Sequence, residues 1–155
     1  MRRLAAGPRG LGRALLLFVV AVGVPARGQP PPPPVDYVAD LVARTFLRAL
    51  FDGAAAELTP LVADRVSFDG EVVQGPAVRE RLAAVAARAR ALARPRRIVV
   101  LPYAATRARF GDPPARLRPG GLDGTIVALA RLERGGLVVV LKPTTGRWKV
   151  VALSD

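Results

Sequence analysis

The chain of 155 residues contains no cysteine and no histidine. Without cysteine there is no disulfide, no thiol nucleophile and no thiolate ligand, and without histidine no triad can use imidazole as its base. The carboxylates are scattered without the spacing of a calcium loop, so we expect neither a metal site nor a cofactor. The fold must therefore be held together by side-chain packing alone.

Aromatic residues and lysines are also scarce. Aromatics make up 5% of the chain, and Lys142 and Lys149 are its only lysines, so the formal charge of +12 comes almost entirely from arginine. After residue 28 there remain 19 basic and 12 acidic side chains. Proteins that bind nucleic acid cluster their basic residues beside stacking aromatics, whereas these arginines are dispersed. We therefore do not expect nucleic acid as a partner.

Residues 1–28 have the three-part layout of a secretory signal peptide. A basic stretch runs from Arg2 to Arg13, an apolar stretch from Ala14 to Val24, and the small residues Ala26 and Gly28 mark a cleavage site. The apolar stretch is shorter than the roughly 20 residues needed to span a bilayer. An uncleaved anchor remains the alternative. We expect a protein exported to the periplasm or the extracellular space, with no stable membrane anchor after cleavage.

The mature chain begins with a spacer over residues 29–35 that contains five consecutive prolines. Such a run forms a stiff polyproline II segment. Residues 36–155 then form one domain, which is long enough to bury a single hydrophobic core.

Hydrophobic periodicity predicts three helices in the first part of this domain. The first helix ends at Asp52–Gly53, the second covers residues 54–63, and the third begins at Gly75–Pro76 and stops before Pro95. A strand over Val66–Phe68 and an Asp69–Gly70 turn separate the second helix from the third.

From Ile98 onward the period changes to two, which is typical of strands. The predicted strands cover Ile98–Tyr103, with residues 106–110 as a continuation, and then residues 125–132, 137–142 and 147–153. A glycine-rich loop spans Gly111–Gly124. The sequence therefore predicts an α+β domain in which three helices pack against a curved, mainly antiparallel sheet.

Four stretches of the domain carry a family resemblance: FLRALFDG over residues 46–53, LVADRVSFDG over 61–70, Gly75 with the following helix, and GRWKVVAL over 146–153. Through them, residues 36–155 resemble the nuclear-transport-factor-2-like superfamily, in its SnoaL-like and ketosteroid-isomerase-like branch. The resemblance implies a cystatin-like α-β roll, a cone with a pocket inside. The superfamily contains isomerases, cyclases, dehydratases, epoxide hydrolases and members without catalysis, so the fold alone does not fix the function.

The strongest catalytic candidate is Asp69, which follows the first strand where the ketosteroid-isomerase-like pattern places its general base. That chemistry also needs hydrogen-bond donors for the developing oxyanion. By resemblance, the donor positions hold Thr45 in place of a tyrosine and Ala128 in place of an acid. A SnoaL-type cyclase would need a histidine that is absent. We therefore favour the interpretation of Asp69 as part of an Asp–Gly turn.

Five further side chains are candidates for lining the pocket: Phe68, Tyr103, Arg107, Arg109 and Trp148. The two arginines, two apart on the predicted strand, would share one face and hold an acidic ligand at the mouth of the cone. The alternative is that the aromatics belong to the core and the arginines to the solvated surface. An epoxide-hydrolase-like set would combine Asp69 with one of these arginines and Asp123.

In the later strands, over residues 126–129 and 137–141, consecutive residues are apolar, so side chains on both faces are apolar. A strand with one wet face alternates, so this pattern indicates a sheet buried on both faces. Three helices can cover only one face, so we expect a second copy of the chain to cover the other in a homodimer through the sheet. The alternative is that the loop Gly111–Gly124 or the N-terminal spacer folds over that face.

These observations favour a non-catalytic exported domain that binds a small apolar or acidic ligand or acts through dimerisation. Two alternatives stay open. One is an isomerase, dehydratase or hydrolase centred on Asp69, and the other is an accessory interaction domain of an envelope complex.

Overall fold

The structure, a computed structural model, describes residues 35–117 and 121–154. The predicted signal peptide and nearly all of the spacer lie outside these residues. The described ranges contain four α-helices: α1 (Tyr37–Asp52), α2 (Ala55–Leu58), α3 (Pro76–Arg90) and α4 (Tyr103–Phe110). Single 3-10 turns cover Thr59–Leu61 and Ala115–Leu117. Within the same ranges, no helix combines the length and the apolar character needed to cross a membrane.

Six strands form one sheet in the order β2-β1-β6-β5-β4-β3. Their bounds are β1 (Val62–Phe68), β2 (Glu71–Gln74), β3 (Arg97–Pro102), β4 (Ile126–Arg131), β5 (Gly136–Thr144) and β6 (Arg147–Ser154). All neighbours are antiparallel except β1 and β6, which run parallel. The predicted α+β class with a mainly antiparallel sheet is confirmed, and the layout of helices and sheet is the one that the superfamily resemblance implies.

Helix α1 has the two end signals expected of a stable helix. The Asp36 side chain caps its first turn by accepting hydrogen bonds from the backbone N–H groups of Val38 (2.8 Å) and Ala39 (3.2 Å). The bond from Ala39 is the main cause of a lowered pKa at Asp36, with smaller effects from Trp148 and Val38. At the other end Gly53 has φ +72°, the left-handed conformation that glycine adopts most readily.

The core lies between α1, α3 and the sheet face that we call the inner face. Strand residues on this face, among them Val139, Leu141 and Val150, pack against the buried sides of the two helices. Large side chains occupy the space between them, including Phe46, Leu47, Leu50 and Leu82, each 1% exposed or less. The interior of the cone is therefore packed core.

Part of the opposite, outer face of the sheet is covered by the chain itself. Val140 and Ala152 on this face form a second apolar cluster with Leu117 and Leu122, which belong to the segment over residues 111–124. Tyr103, at the start of α4, packs against the same cluster. The expectation that helices cover only one face is therefore wrong, as is the predicted count of three helices. Because both faces of the sheet are buried within one chain here, consecutive residues of β4 and β5 are apolar whichever face they point to.

The fourth helix replaces a predicted strand. Residues 106–110 were expected to continue β3, but the chain turns at Pro102, and Tyr103 donates its backbone N–H to the Thr125 carbonyl (3.0 Å). The sequence that follows, YAATRARF, contains three alanines, the residue with the highest helix propensity. Arg107 and Arg109 consequently lie about 200° apart around a helix, so they do not share a face.

Strand β2 is also absent from the sequence prediction. It covers four residues at the edge of the sheet and is mostly exposed, so it shows little hydrophobic alternation. It joins β1 through a two-residue turn in which Asp69 (φ +52°) and Gly70 (φ +93°) both have positive φ. Two positive φ values in a row are the signature of a type I′ hairpin turn, for which Asp–Gly is a preferred sequence.

Candidate functional site

A small cavity opens where α3 crosses the ends of β1, β5 and β6. We call it the mouth cavity; its volume is about 130 Å³. Eight residues line it: Phe68, Asp69, Arg81, Val85, Arg88, Leu137, Leu153 and Ser154. Apolar side chains from the sheet form its floor, and charged side chains from α3 and the β1–β2 turn stand at its rim.

Helix α3 supplies the charged wall of the cavity. Arg81, Val85 and Arg88 are spaced i, i+4 and i+7, so they project from one face of the helix. Proline at the first helical position, after Gly75, fixes where α3 begins. The neighbouring buried stripe, which includes Val78 and Leu82, anchors the helix on the core and turns the arginines toward the rim.

The two arginines differ in how their charge is balanced. Arg81 donates a hydrogen bond to the carboxylate of Glu71 on β2, and both side chains are exposed. Arg88 forms no ion pair within residues 35–117 and 121–154. The Arg88 guanidinium can therefore serve as a binding group for an anion without first giving up a protein carboxylate.

The turn that carries Asp69 is tied to the end of β6, because Asp69 donates its backbone N–H to the Leu153 carbonyl (2.9 Å). Arg116 donates from Nε to the buried Ser154 hydroxyl (2.8 Å), which lies at the base of the cavity. Gly70 suits the turn because its φ is +93°, and a Cβ atom there would also come within 3.1 Å of Arg116 Cβ. Asp69 is exposed in this turn and reaches the cavity only at its rim.

The structure brings together two of the residues predicted for the site, Phe68 and Asp69. Trp148 is half-buried against the inner core. The three others belong to α4, on the outer face of the sheet. There Tyr103 packs on the outer cluster, Arg107 pairs with Asp112 (2.8 Å), and the Arg109 guanidinium lies 5.4 Å from the centre of the Phe110 ring.

The positions expected to hold oxyanion donors lie away from the mouth cavity. Thr45 is half-buried on α1, and Ala128 is wholly buried on β4. Neither these two residues nor Asp123 lines the mouth cavity. The groups that do flank Asp69, Arg81 and Arg88, were not predicted. Their helical spacing beside the stripe of α3 was visible in the sequence, but nothing there showed which strand ends this face would meet.

Comparisons with known proteins yield likeness to solved structures only. No family model matches the chain, and no curated protein matches it. A candidate ketosteroid isomerase from Shewanella frigidimarina NCIMB 400 is 16% identical with a TM-score of 0.48, over 77% of this chain and 94% of that one. The protein named "Rd1NTF2_05 with long sheet" is 12% identical with a TM-score of 0.40, over 78% and 99%. At these identities the likeness concerns the fold and assigns no activity.

Proposed function

We propose that this protein is an exported, non-catalytic domain that binds a small acidic ligand with an apolar end in the mouth cavity. One observation carries the proposal: two arginines and a set of apolar side chains line the same cavity between α3 and the sheet. The anionic group of the ligand binds Arg88 and Arg81. The apolar end packs on Val85, Leu137 and Leu153.

The size of the cavity limits the ligand. Its volume of about 130 Å³ holds roughly four water-sized groups, since each water takes up about 30 Å³ in the liquid. Pockets for drug-sized ligands are larger, at roughly 300–1,000 Å³. A short aliphatic carboxylate fits these dimensions if its chain enters the cavity and its carboxylate stays at the rim, where it meets the arginines in bidentate geometry.

Calorimetric titration of the purified full chain with hexanoate tests the proposal. We expect hexanoate to bind and hexanol, which lacks the charge, to bind more weakly. The variant Arg88→Gln should weaken hexanoate binding by about tenfold, because a charge-assisted hydrogen bond contributes on the order of 1.5–3 kcal/mol. The matched control is Arg79→Gln, which removes an exposed arginine of α3 that does not line the cavity. Equal affinities for hexanoate and hexanol would contradict the role of the arginines.

A catalytic alternative uses the same cavity. Asp69 stands at its rim beside Arg81 and Arg88, which is an arrangement of a base with two cationic groups. One observation argues against this alternative. Active sites usually exclude water from the reacting groups, whereas Asp69 is exposed to solvent. A steroid-sized substrate inside the cone would also have to displace large side chains that are wholly buried there, such as Phe46 and Leu50.

Two further parts of the proposal rest on the sequence. Export follows from the signal-like layout of residues 1–28, which lie outside the described residues. Homodimerisation is kept from the sequence pattern alone, in which the later strands are apolar on both faces. The outer cluster around Val140 and Ala152 already accounts for part of that apolar surface within one chain, so a dimer would add to this cluster at its exposed margin.

A further inference from the structure

The β5–β6 hairpin gathers three cations on the outer face of the sheet. In its register Lys142 lies directly opposite Lys149, and Thr144 lies opposite Arg147. Opposite partners in an antiparallel pair share a face, as do residues two apart on one strand. The neighbouring pair of Leu141 and Val150 belongs to the inner core, so these four side chains project from the outer face.

Within the described residues, these three cations lack a paired carboxylate. Lys149 donates from Nζ to the carbonyl oxygen of Pro60, a neutral acceptor. Like charges directly opposite each other destabilise a strand pair, so the hairpin has two lysines in an unfavourable arrangement that a bound anion would relieve.

A cleft of about 430 Å³ adjoins these cations. It is lined by Thr144, Thr145, Arg147 and Lys149 from the hairpin and by Val62, Ala63 and Asp64 from β1. These residues lie at the opposite ends of β1, β5 and β6 from the mouth cavity. The hairpin wall is well defined, because Thr145 (φ +47°) and Gly146 (φ +75°) form a tight turn with positive φ at both positions.

We propose that this cleft binds a phosphate monoester whose organic part carries a hydroxyl group. The phosphoryl oxygens accept hydrogen bonds from Arg147 and Lys149, while Lys142 on the same face adds to the positive potential. A phosphate monoester carries a charge of about −1.5 to −2 at pH 7, which matches several cations better than a single carboxylate does. The Thr144 hydroxyl can donate to the same group.

Asp64 is the reason why the proposed ligand carries a hydroxyl group. Its carboxylate repels a bare anion but accepts a hydrogen bond from a hydroxyl group. A ligand with the phosphoryl group at one end and a hydroxyl group at the other therefore fits both walls. Inorganic phosphate satisfies only the hairpin wall.

Calorimetric titration of the full chain with glycerol 3-phosphate and with inorganic phosphate tests this inference. We expect glycerol 3-phosphate to bind more tightly. Arg147→Gln should weaken binding of glycerol 3-phosphate by about tenfold, since it removes a charge-assisted contact to the phosphoryl group. The control Arg134→Gln removes an exposed arginine from the turn between β4 and β5, which does not line the cleft, and should leave the affinity unchanged.

The variant Asp64→Asn distinguishes the contribution of Asp64 from that of the cations of the β5–β6 hairpin. It should weaken binding of glycerol 3-phosphate and strengthen binding of inorganic phosphate, because the repulsion of a bare anion is removed. Circular dichroism confirms that each variant is folded. The inference is overturned if glycerol 3-phosphate does not bind, if Arg147→Gln binds it as the unaltered chain does, or if Asp64→Asn changes the two affinities in the same direction. Arg147→Gln should leave the affinity of the mouth cavity for hexanoate unchanged. The two proposed sites are therefore tested independently of each other.

Discussion

Asp69 shows how one side chain supports two interpretations until its backbone is known. In the sequence it follows a strand at the position of a family general base. In the structure its positive φ and exposed position belong to a type I′ turn, and the turn also places it at the rim of the mouth cavity. Its role as a turn residue is therefore explained without catalysis.

We predict that the protein has no steroid isomerase activity. Neither Thr45 nor Ala128 lines the cavity, and a cavity of about 130 Å³ cannot enclose a steroid. The measurement is the turnover of a 3-oxo-Δ5 steroid by the purified chain, followed by ultraviolet absorbance. Turnover that disappears in Asp69→Asn would show that the catalytic interpretation is the right one.

Helix α1 was predictable because its signals are local. The apolar stripe, the Asp52–Gly53 ending and the charged outer positions all lie within one segment, and the helix ends at the predicted place. Helix α4 was not predictable in the same way. Its eight residues show no clear apolar stripe, and its position depends on contacts of Tyr103 with Thr125 and the outer cluster, which are distant in sequence.

The same distinction separates the predicted and the unpredicted parts of the candidate site. Phe68 and Asp69 were found because they adjoin a strand and a turn that are visible locally. Arg81 and Arg88 become site residues only because α3 lies across the mouth cavity from the ends of β5 and β6. A pattern within α3 cannot show that packing, because it depends on the order of the strands in the sheet.

The cap of α1 gives a prediction that depends on pH. The pKa of Asp36 is lowered in the folded protein, chiefly by the backbone N–H of Ala39, so the cap stabilises the fold above the ordinary pKa of aspartate. This stabilisation is lost as the pH falls through the lowered value. We expect Asp36→Ala to lower the Tm at pH 7 and the difference from the unaltered chain to shrink below about pH 4, near the unperturbed pKa of aspartate.

The control for this measurement is Asp123→Ala, which removes an exposed carboxylate from outside any helix. Thermal unfolding followed by circular dichroism between pH 2.5 and 7 compares the three proteins. A Tm difference for Asp36→Ala that stays constant over this range would mean that the cap acts without its charge.

At the scale of the whole molecule, the predicted homodimer is tested by light scattering at micromolar concentration. Val139 is wholly buried in the inner core, whereas Val138 is half-buried beside the outer cluster. We expect Val138→Arg to give folded monomers and Val139→Arg to unfold the domain, since it places a charge in the core. A clean monomer mass for the unaltered chain would refute the dimer.

Export is tested by the N-terminus of the mature protein. The small residues Ala26 and Gly28 predict cleavage before Gln29, with a second site near Arg27. N-terminal sequencing of protein recovered from the native envelope should therefore begin at one of these residues. A chain that begins at Met1 in the membrane fraction would favour the uncleaved anchor instead.

The proposal that the mouth cavity binds a small acidic ligand is tested most directly by mapping its position. In a titration of the ¹⁵N-labelled chain with hexanoate, we expect the backbone amide signals of Phe68, Asp69, Val85 and Arg88 to shift together and to saturate. The same signals should shift less when hexanol replaces hexanoate at equal concentration, because hexanol has no charge with which to bind the arginines. Saturable shifts confined to residues outside the cavity, or no shifts at all, would contradict the proposed function.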